Sequence, residues 1–192
     1  MRDTTLGDRK VDRSMMPEGR PVVIVLMGVS GCGKSTAGAG LSKALGWPFR
    51  DADSFHPPAN IEKMSRGVPL TDVDRGPWLT AIGAWIDARL ETGEPGIVSC
   101  SALKGAYRQH IIGARRGVRL VYLKGEAELI AARLRGRRNH FMPAALLRSQ
   151  FEALEEPRPA ERPIIVSAAT SPRRIVATII DRLGLASPST GA

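Results

Sequence analysis

The sequence predicts an α/β fold, in which a five-stranded parallel β-sheet carries helices on both faces. Five short apolar runs are spread along the 192-residue chain, and a segment of helical length follows each of them. Buried strands that alternate with helices need crossover connections, which are right-handed and cover both faces of a parallel sheet. The length suits one domain of about 150 residues with short appendages.

The predicted strands are the five apolar runs, Val22–Met27, Phe49–Asp51, Gly96–Ser99, Arg119–Leu123 and Ile164–Ser167. The longest, Val22–Met27, is far shorter than the about 20 apolar residues that cross a membrane. Ligands of such sheets bind outside the carboxyl ends of the strands. The residues that follow each strand are therefore the first candidates for a functional site.

Three helices are predicted from apolar stripes at helical spacing. Lys34–Leu45 repeats alanine and leucine on one face, and Gly46 then ends it. Asp74–Thr92 carries tryptophan, isoleucine and leucine on one stripe, which is typical of a helix that faces the core. Glu126–Arg137 has a similar stripe.

Both ends of the chain are predicted to be disordered tails around one domain at residues 20–185. Residues 1–19 are polar without an apolar stripe, and residues 186–192 are small and polar. A leader is the alternative for the first segment, although it lacks the long apolar core of a secretory signal. Cys32 and Cys100 provide neither a disulfide framework nor a zinc set. We therefore expect the protein in the reducing cytoplasm.

The net charge of +9 is concentrated in one part of the chain. Residues 101–140 hold ten lysines and arginines but only two glutamates, so this window carries nearly all of the excess. A local basic patch suits either a nucleic acid or a small polyanion such as ATP. Aromatic residues make up only 5% of the chain, which is too few for a base-stacking platform. We expect neither nucleic acid nor membrane as a partner.

The strongest motif is a phosphate-binding loop. Residues 28–35 read Gly-Val-Ser-Gly-Cys-Gly-Lys-Ser and match G-x-x-x-x-G-K-[ST], with a predicted strand before and a helix after. Its glycines let the backbone N–H groups face a phosphate, and the helix N-terminus adds a favourable dipole. Lys34 would reach the β- and γ-phosphates, and the Ser35 hydroxyl would ligate Mg²⁺. The predicted ATP contacts in this segment are Gly28, Val29, Ser30, Gly31, Cys32, Gly33, Lys34, Ser35 and Thr36.

Several classes of nucleotide-binding protein share this loop, and two absences disfavour two of them. No Asn-Lys-x-Asp sequence follows the loop, whereas a GTPase would carry one. The third predicted strand ends in Cys100-Ser101 and lacks the aspartate with which a motor-type ATPase holds Mg²⁺.

Two carboxylates, Asp51 and Asp53, lie at the end of the second predicted strand. Residues two apart on a strand point to the same face, so both are expected to face the site. One can hold Mg²⁺, and the other can accept the proton of an attacking hydroxyl. A pair of solvated turn residues is the alternative.

Four further polar residues are candidate substrate contacts. His56 could hydrogen-bond a polyol or cap the short helix that follows it. Arg75 lies at a helix start, where the dipole disfavours a cation; anion recognition would offset this, and an ion pair with Asp72 is the simpler alternative. Lys104 and Arg108 are four apart beyond the third strand and are expected to share a helix face at the binding edge. A solvated basic face is their alternative.

A mobile lid is predicted at the end of the helix Glu126–Arg137. Arg133 and Arg137 share one face, and the sequence Arg-Asn-His-Phe that follows breaks the helical pattern. Arginines on such an element can close over ATP and stabilise the charge that develops on the transferred phosphoryl group. A solvated basic face is again the alternative.

The two cysteines lie close to these candidate residues. Cys32 sits at a helix N-terminus, where the pKa of a thiol tends to fall, so that a redox role competes with that of a small tolerated residue. Cys100 ends a buried strand and is most simply a packing residue.

Longer blocks of sequence carry a more specific resemblance. They are Met27-Gly28-Val29-Ser30-Gly31; Asp51-x-Asp53-x-x-His56-Pro57 with Asn60-Ile61-Glu62-Lys63-Met64; Gly67-x-Pro69-Leu70-x-Asp72-x-Asp74-Arg75-x-Pro77-Trp78-Leu79 with Cys100-Ser101-Ala102-Leu103-Lys104-x-x-Tyr107-Arg108; Tyr122-Leu123-Lys124-Gly125 with His140-Phe141; and Leu147-x-x-Gln150-Phe151-x-x-Leu154-Glu155-x-Pro157. Over about residues 22–167, these blocks resemble the small gluconokinases, relatives of shikimate and adenylate kinases.

The resemblance implies a P-loop kinase fold, a three-layer α/β sandwich with a mobile lid. It implies ATP-dependent phosphorylation of the 6-hydroxyl of D-gluconate to 6-phospho-D-gluconate, with Mg²⁺ and often a homodimer. It makes Asp53 the partner of the substrate hydroxyl and Arg133 and Arg137 the lid arginines. We therefore expect catalytic roles for Lys34, Asp53 and Arg137, and we expect Ser35 and Asp51 to be the metal ligands. The expected gluconate contacts are Asp53, His56, Arg75, Lys104 and Arg108.

Two departures from the family pattern remove no group that the chemistry needs: Cys32, where serine is common, and Asn139 before His140.

Two other functions stay open. A kinase of shikimate or a nucleotide is the first, although a shikimate kinase would carry glycines where this chain has Ser-Ala-Leu-Lys. The second is a non-catalytic ATP-sensing module, which the presence of Asp51 and Asp53 disfavours.

Overall fold

Five parallel strands form the predicted sheet in a computed structural model that describes residues 23–135 and 144–185. Their order across the sheet is β2-β3-β1-β4-β5. All four strand pairings are parallel, which confirms the α/β class. The strands are β1 (Val23–Met27), β2 (Phe49–Asp51), β3 (Gly96–Ser99), β4 (Val118–Lys124) and β5 (Ile164–Ser167).

Helices connect the strands and cover both faces of the sheet. They are α1 (Lys34–Leu45), α2 (Pro58–Ser65), α3 (Asp72–Thr92), α4 (Gly105–Ile111), α5 (Ala127–Arg135), α6 (Ala144–Glu152) and α7 (Pro172–Arg182). Short 3₁₀ helices occupy Ala52–Phe55 and Pro159–Glu161.

The helix α3 begins two residues before its predicted start because Thr71 caps it. The Asp74 N–H donates to Thr71 Oγ1 at 3.3 Å, and the Thr71 N–H donates to Asp74 Oδ2 at 2.9 Å. This reciprocal pair is a capping box, which satisfies two N–H groups at the helix start. The start of α3 is thus determined by a capping residue that lies outside the apolar stripe from which the helix was predicted.

Other boundaries agree with the predictions within a residue or two. The strand predicted at Arg119–Leu123 extends by one residue at each end. The helix predicted at Glu126–Arg137 is observed as Ala127–Arg135. Val22, Arg137 and the two predicted tails lie outside the described residues.

The sheet separates two apolar layers. Along β1, Ile24 and Leu26 pack with α1, α5 and α7, whereas Val23, Val25 and Met27 face α3. The side chains of β1 are fully buried on both faces, as expected for a central parallel strand. None of the helices in the described part of the chain is long and apolar enough to cross a membrane.

Candidate active site

A cavity of about 620 Å³ opens where the carboxyl ends of β1, β2 and β3 meet. In the sheet, Ser99 at the end of β3 lies beside both Leu26 of β1 and Asp51 of β2. The three loops that leave these strands therefore converge on one edge, as expected for ligand sites in open α/β sheets. The predicted site residues that line the cavity are Ser30, Gly31, Gly33, Lys34, Ser35, Thr36, Asp51, Asp53, His56, Arg75 and Lys104.

The phosphate loop forms one wall of the cavity. Gly28 has φ +145°, and a Cβ there would lie 2.7 Å from the Leu123 carbonyl oxygen and 2.8 Å from Cys32 Sγ. Glycine is therefore required for the loop to pack this tightly against β4. Val29 and Cys32, also predicted as ATP contacts, are buried behind the loop.

The loop ends at the N-terminus of α1, which supplies an anion-binding surface. Its N-cap residue is Gly33, no side chain caps the helix, and no acidic residue occupies the first turn. The first N–H groups of a helix lack internal partners and carry a partial positive charge. An uncapped, acid-free helix start that faces a cavity is suited to a phosphate.

Lys34 lies over the loop that precedes it. Its Nζ donates to the carbonyl oxygens of Gly28 at 2.9 Å and Val29 at 3.1 Å. These neutral acceptors hold the ammonium at the mouth of the loop without cancelling its charge. It remains available to an anion in the cavity.

Ser35 and Asp51 meet at the same edge. Ser35 Oγ donates to Asp51 Oδ2 at 2.7 Å, and the Asp53 N–H donates to Asp51 Oδ1 at 3.2 Å. A hydroxyl and a carboxylate are oxygen ligands of the kind that Mg²⁺ prefers. The donor set therefore fits a magnesium ion.

The predicted reason for the proximity of Asp51 and Asp53 was wrong. β2 ends at Asp51, and Asp53 lies in the 3₁₀ helix that follows, so the pair does not share a strand face. Asp51 instead caps that helix by accepting the Asp53 N–H. Both residues still line the cavity, because the tight turn keeps the chain at the sheet edge.

His56 is held flat against an aromatic ring. It stacks on Trp78 with ring centroids 4.6 Å apart, and its Nδ1 lies 3.3 Å from Asn60 Nδ2. Burial lowers the pKa of His56, with Asp53 acting in the opposite direction. The imidazole is therefore largely neutral near pH 7 and can hydrogen-bond a hydroxyl. It does not cap α2, whose N-cap is Pro57.

A charged cluster of Asp72, Arg75, Lys104 and Tyr107 borders the cavity. Lys104 Nζ donates to Asp72 Oδ2 at 2.7 Å, and the Tyr107 hydroxyl donates to Asp72 Oδ1. Hydrogen bonds from Lys104 and then Tyr107 lower the pKa of Asp72, and the same carboxylate raises the pKa of Lys104. Arg75 reaches Asp72 only at 3.5 Å. Lys104 is thus the principal partner of Asp72, and Arg75 is the less compensated cation.

Arg108 does not reach this cavity, contrary to the expectation that it shares a helix face with Lys104. Lys104 is the N-cap of α4, whereas Arg108 lies inside the helix and is buried. Its Nε and Nη2 donate to Glu161 at 2.6 and 3.0 Å. Its Nη1 donates to the carbonyl oxygens of Ala102, Leu103 and Glu155 at 3.1, 3.1 and 2.9 Å. Arg108 therefore ties α4 to the chain around the 3₁₀ helix Pro159–Glu161.

Of the two predicted lid arginines, Arg133 lies within the described residues and Arg137 does not. Arg133 Nη2 donates to the Ala168 carbonyl oxygen at 2.6 Å, just beyond the end of β5, and Arg133 is not among the residues that line the cavity. Arg137 lies outside the described residues.

The pKa of the Cys32 thiol is raised, whereas its place at a helix N-terminus predicted a lowered pKa. Burial raises its pKa, against smaller lowering effects of Lys34 and Arg133. Burial likewise raises the pKa of Cys100 to about 12. Both thiols are free and buried, so they are protonated packing groups near pH 7.

Gln150 of α6 is a site residue to which the sequence analysis gave no role. The Ser30 N–H of the phosphate loop donates to its Oε1 at 2.7 Å. The only signal in the sequence was its membership of the block from Leu147 to Pro157 that resembles the gluconokinases. Nothing local to α6 indicates a contact with a loop 120 residues earlier.

Comparisons with known proteins agree with this geometry. The shikimate kinase family model matches residues 30–184. A gluconokinase of Gluconobacter oxydans is 43% identical over 161 residues, covering 84% of this chain and 90% of the relative. A gluconokinase of Arabidopsis thaliana is 44% identical over 172 residues, covering 83% and 90%.

Solved structures point the same way. The crystal structure of a gluconokinase from Sinorhizobium meliloti has a TM-score of 0.77 at 46% identity, covering 85% of this chain and 92% of that one. A shikimate kinase from Bacteroides thetaiotaomicron, at 20% identity and a TM-score of 0.60, shares the fold alone. With the phosphate loop and the carboxylates at one sheet edge, these matches establish that the chain belongs to the gluconokinase family of P-loop kinases.

Proposed function

We propose that the protein transfers the γ-phosphoryl group of ATP to the 6-hydroxyl of D-gluconate, giving ADP and 6-phospho-D-gluconate. One observation carries the proposal: the phosphate loop, the Asp53 carboxylate and the cation Arg75 line the same 620 Å³ cavity. A volume of several hundred Å³ is typical of small-molecule sites. The names of the relatives supply the acceptor, since they are gluconokinases.

The phosphate loop and Lys34 bind the triphosphate in this proposal. The uncapped start of α1 offers N–H groups to the phosphate oxygens, and Lys34 exchanges its loop carbonyl partners for the β- and γ-phosphates. Phosphoryl transfer needs little covalent work from a protein, so positioning and charge stabilisation supply most of the rate.

Ser35 and Asp51 would hold Mg²⁺, which fits the 2.7 Å pairing of their oxygens. Bound there, the ion would supply positive charge that offsets the charge of the phosphate groups. The Ser35 hydroxyl and the Asp51 carboxylate would provide oxygen ligands, and Asp51 also accepts the Asp53 N–H at 3.2 Å.

Asp53 is the proposed general base. As the 6-oxygen of gluconate forms its bond to the γ-phosphorus, its proton passes to the Asp53 carboxylate, and the bond to the bridging oxygen of ADP breaks. Asp53 is suited to this role because it lines the cavity as an exposed carboxylate.

The proposed gluconate pocket is the polar wall formed by His56 before α2, Arg75 at the start of α3 and Lys104 at the N-cap of α4. Neutral His56 hydrogen-bonds a hydroxyl of the polyol, and Arg75 binds the carboxylate, assisted by Lys104. Arg75 is favoured because its contact with Asp72 is long, 3.5 Å, whereas that of Lys104 is 2.7 Å. Arg108 is not a proposed gluconate contact, because all three nitrogens of its guanidinium group donate hydrogen bonds within the fold. Arg133 and Arg137 remain proposed lid residues, by resemblance to the family.

We also propose that the enzyme is a homodimer and that it is located in the cytoplasm. A homodimer is proposed from the resemblance to the family, and a cytoplasmic location agrees with two free, buried cysteines. Light scattering on the purified protein should give twice the 20.7 kDa mass of one chain. A monomer at working concentrations contradicts the first of these statements.

The acceptor is tested by measuring ATP consumption with gluconate, shikimate and AMP in parallel. Gluconate should support turnover, and 6-phosphogluconate should accumulate in equal amount with ADP. Turnover with shikimate or AMP but not gluconate would overturn the acceptor and leave the kinase chemistry standing. Absence of turnover with all three, with ATP still bound, would favour a nucleotide-sensing module.

A further inference from the structure

A second cavity, of about 610 Å³, lies at the amino ends of β4 and β5, opposite the carboxyl ends that border the active site. Its walls are the end of α4, the loop at residues 113–117, the start of β4 and the turn before β5. β4 has seven residues and rises about 3.3 Å per residue, so this cavity lies roughly 20 Å from the phosphate-binding edge. It is separate from the active site, and we refer to it as the arginine cavity.

Five arginines line the arginine cavity, and two of them are neutralised by partners. Arg108 pairs with Glu161, and Arg115 Nε and Nη2 donate to Asp87 at 2.6 and 2.8 Å. Among the lining residues that the structure describes, Glu161 is the one acidic residue, and both its carboxylate oxygens accept from Arg108. In this described lining, no acidic side chain is therefore left for the other arginines.

The remaining three, Arg116, Arg119 and Arg162, are uncompensated. Within residues 23–135 and 144–185, their side chains have no hydrogen bond or ion pair. The lining of the arginine cavity that the structure describes thus carries three positive charges without a neutralising group. Arg119 is half-buried, so water screens its charge less completely than that of a fully exposed side chain.

Two of these cations precede the paired part of neighbouring strands. The pairing of β4 with β5 begins at Val121 and Ile164, and Arg119 and Arg162 each come two residues earlier in the sequence. Arg119 lies within β4, whereas Arg162 ends the 3₁₀ helix before β5 with φ +48°, which is uncommon for a residue other than glycine. Both residues line the arginine cavity.

We propose that the arginine cavity is a second binding site, for a small polyanion that carries phosphate groups. Guanidinium groups present paired N–H donors that match phosphate oxygens, and they hold their charge at every physiological pH. Three uncompensated charges suit a ligand with several negative charges better than a single carboxylate. The polyanion would neutralise the charges of Arg116, Arg119 and Arg162 and lie apart from the reacting groups of the active site.

The test is a calorimetric titration of the purified protein with inorganic pyrophosphate at low ionic strength. The wild type should bind two equivalents, one at the phosphate loop and one in the arginine cavity. Arg119→Gln with Arg162→Gln should lose one equivalent, or weaken it at least about tenfold, because charged hydrogen bonds are removed. Lys34→Ala should weaken the other equivalent and spare this one.

A matched control removes the same charge from elsewhere on the surface. Arg173 and Arg174 of α7 are exposed, and Arg173→Gln with Arg174→Gln should keep both equivalents. ATP turnover with gluconate should be unchanged in the Arg119/Arg162 variant, and its melting temperature should not fall, because neither side chain has a partner among the residues that the structure describes. Should that double variant fail to fold, Arg116→Gln is titrated instead, with the same expectation.

Three results would overturn the proposal. One is a single equivalent in the wild type that Lys34→Ala removes. A second is undiminished binding of two equivalents in the Arg119/Arg162 variant. The third is an equal loss in the Arg173/Arg174 control, which would show that only the net charge matters. Weakening of the second equivalent as salt rises is expected for an electrostatic site.

Discussion

Gln150 holds the phosphate loop from the far end of the sequence: its Oε1 accepts the N–H of Ser30 at 2.7 Å. The contact joins α6 to the loop between β1 and α1. A phosphate-binding loop works through its free N–H groups, so this one is occupied by a side chain. We therefore expect Gln150 to compete with a bound phosphate for the Ser30 N–H.

Gln150→Ala should consequently tighten the binding of a non-hydrolysable ATP analogue. A neutral hydrogen bond is worth about 0.5–1.5 kcal/mol net, so a gain of up to about tenfold is expected. Calorimetry on the variant measures this gain directly. Unchanged or weaker binding in Gln150→Ala would show that the glutamine supports the nucleotide rather than competing with it.

Lys34→Ala should lower kcat by at least about 10²-fold, because an ammonium that stabilises the transferring phosphate is lost. Alanine is a strong helix former, so the first turn of α1 should persist and the melting temperature should change little. Lys43→Ala, an exposed lysine of the same helix, is the control and should keep full turnover. Near-normal turnover in Lys34→Ala would refute its catalytic assignment.

Asp53→Asn should separate catalysis from nucleotide binding. The amide keeps the shape of the side chain but cannot take the proton of the 6-hydroxyl, so kcat should fall by about 10²-fold or more. The affinity for ATP should be largely kept. Asp181→Asn, an exposed aspartate on α7, is the matched control. A variant of Asp53 with normal kcat would mean that the hydroxyl loses its proton elsewhere.

Arg137→Lys tests the lid. Lysine keeps the charge but loses the planar fork that can hold two phosphate oxygens. If Arg137 acts on the transition state, steady-state kinetics should show a larger fall in kcat than in ATP affinity. Arg135→Lys, at the exposed end of α5, is the control. Equal kcat values for the Arg137 variant and the wild type would favour the solvated-face interpretation.

The capping box of α3 should give the fold a defined acid sensitivity. A hydrogen bond from Lys63, followed by those from Thr71, lowers the pKa of Asp74 to about 2. A carboxyl with a folded-state pKa below its unfolded value of about 3.9 stabilises the fold at neutral pH, and this contribution is lost between about pH 4 and pH 2. Asp74→Asn should therefore melt below the wild type at neutral pH, with the difference shrinking as the pH falls through this range.

Thermal melts across this pH series measure the effect, with Asp181→Asn as the control that should track the wild type. A difference between Asp74→Asn and the wild type that stays constant down to about pH 2 would mean that the carboxylate charge is not what stabilises the cap.

The sequence by itself determined those features that depend on neighbours along the chain. The strand–loop–helix unit around Gly28, Lys34 and Ser35 is set by local spacing, and β2, β3, β5 and α1 occupy the residues predicted for them. Periodicity reports which face of an element is apolar, so it predicts the elements and the sheet edge at which their loops meet. Periodicity therefore predicted the region of the fold in which the site lies.

Only the tertiary structure decided where individual side chains are directed. Arg108 turns towards Glu155 and Glu161, about fifty residues later, and leaves the cavity to Arg75 and Lys104. Burial against distant elements reverses the pKa shift expected for Cys32 at a helix start. Gln150 reaches Ser30, and Arg119 and Arg162 come to line one cavity, through packing and strand pairing between remote segments. Such contacts have no local pattern, because the free energy that selects them arises only when separate elements come together.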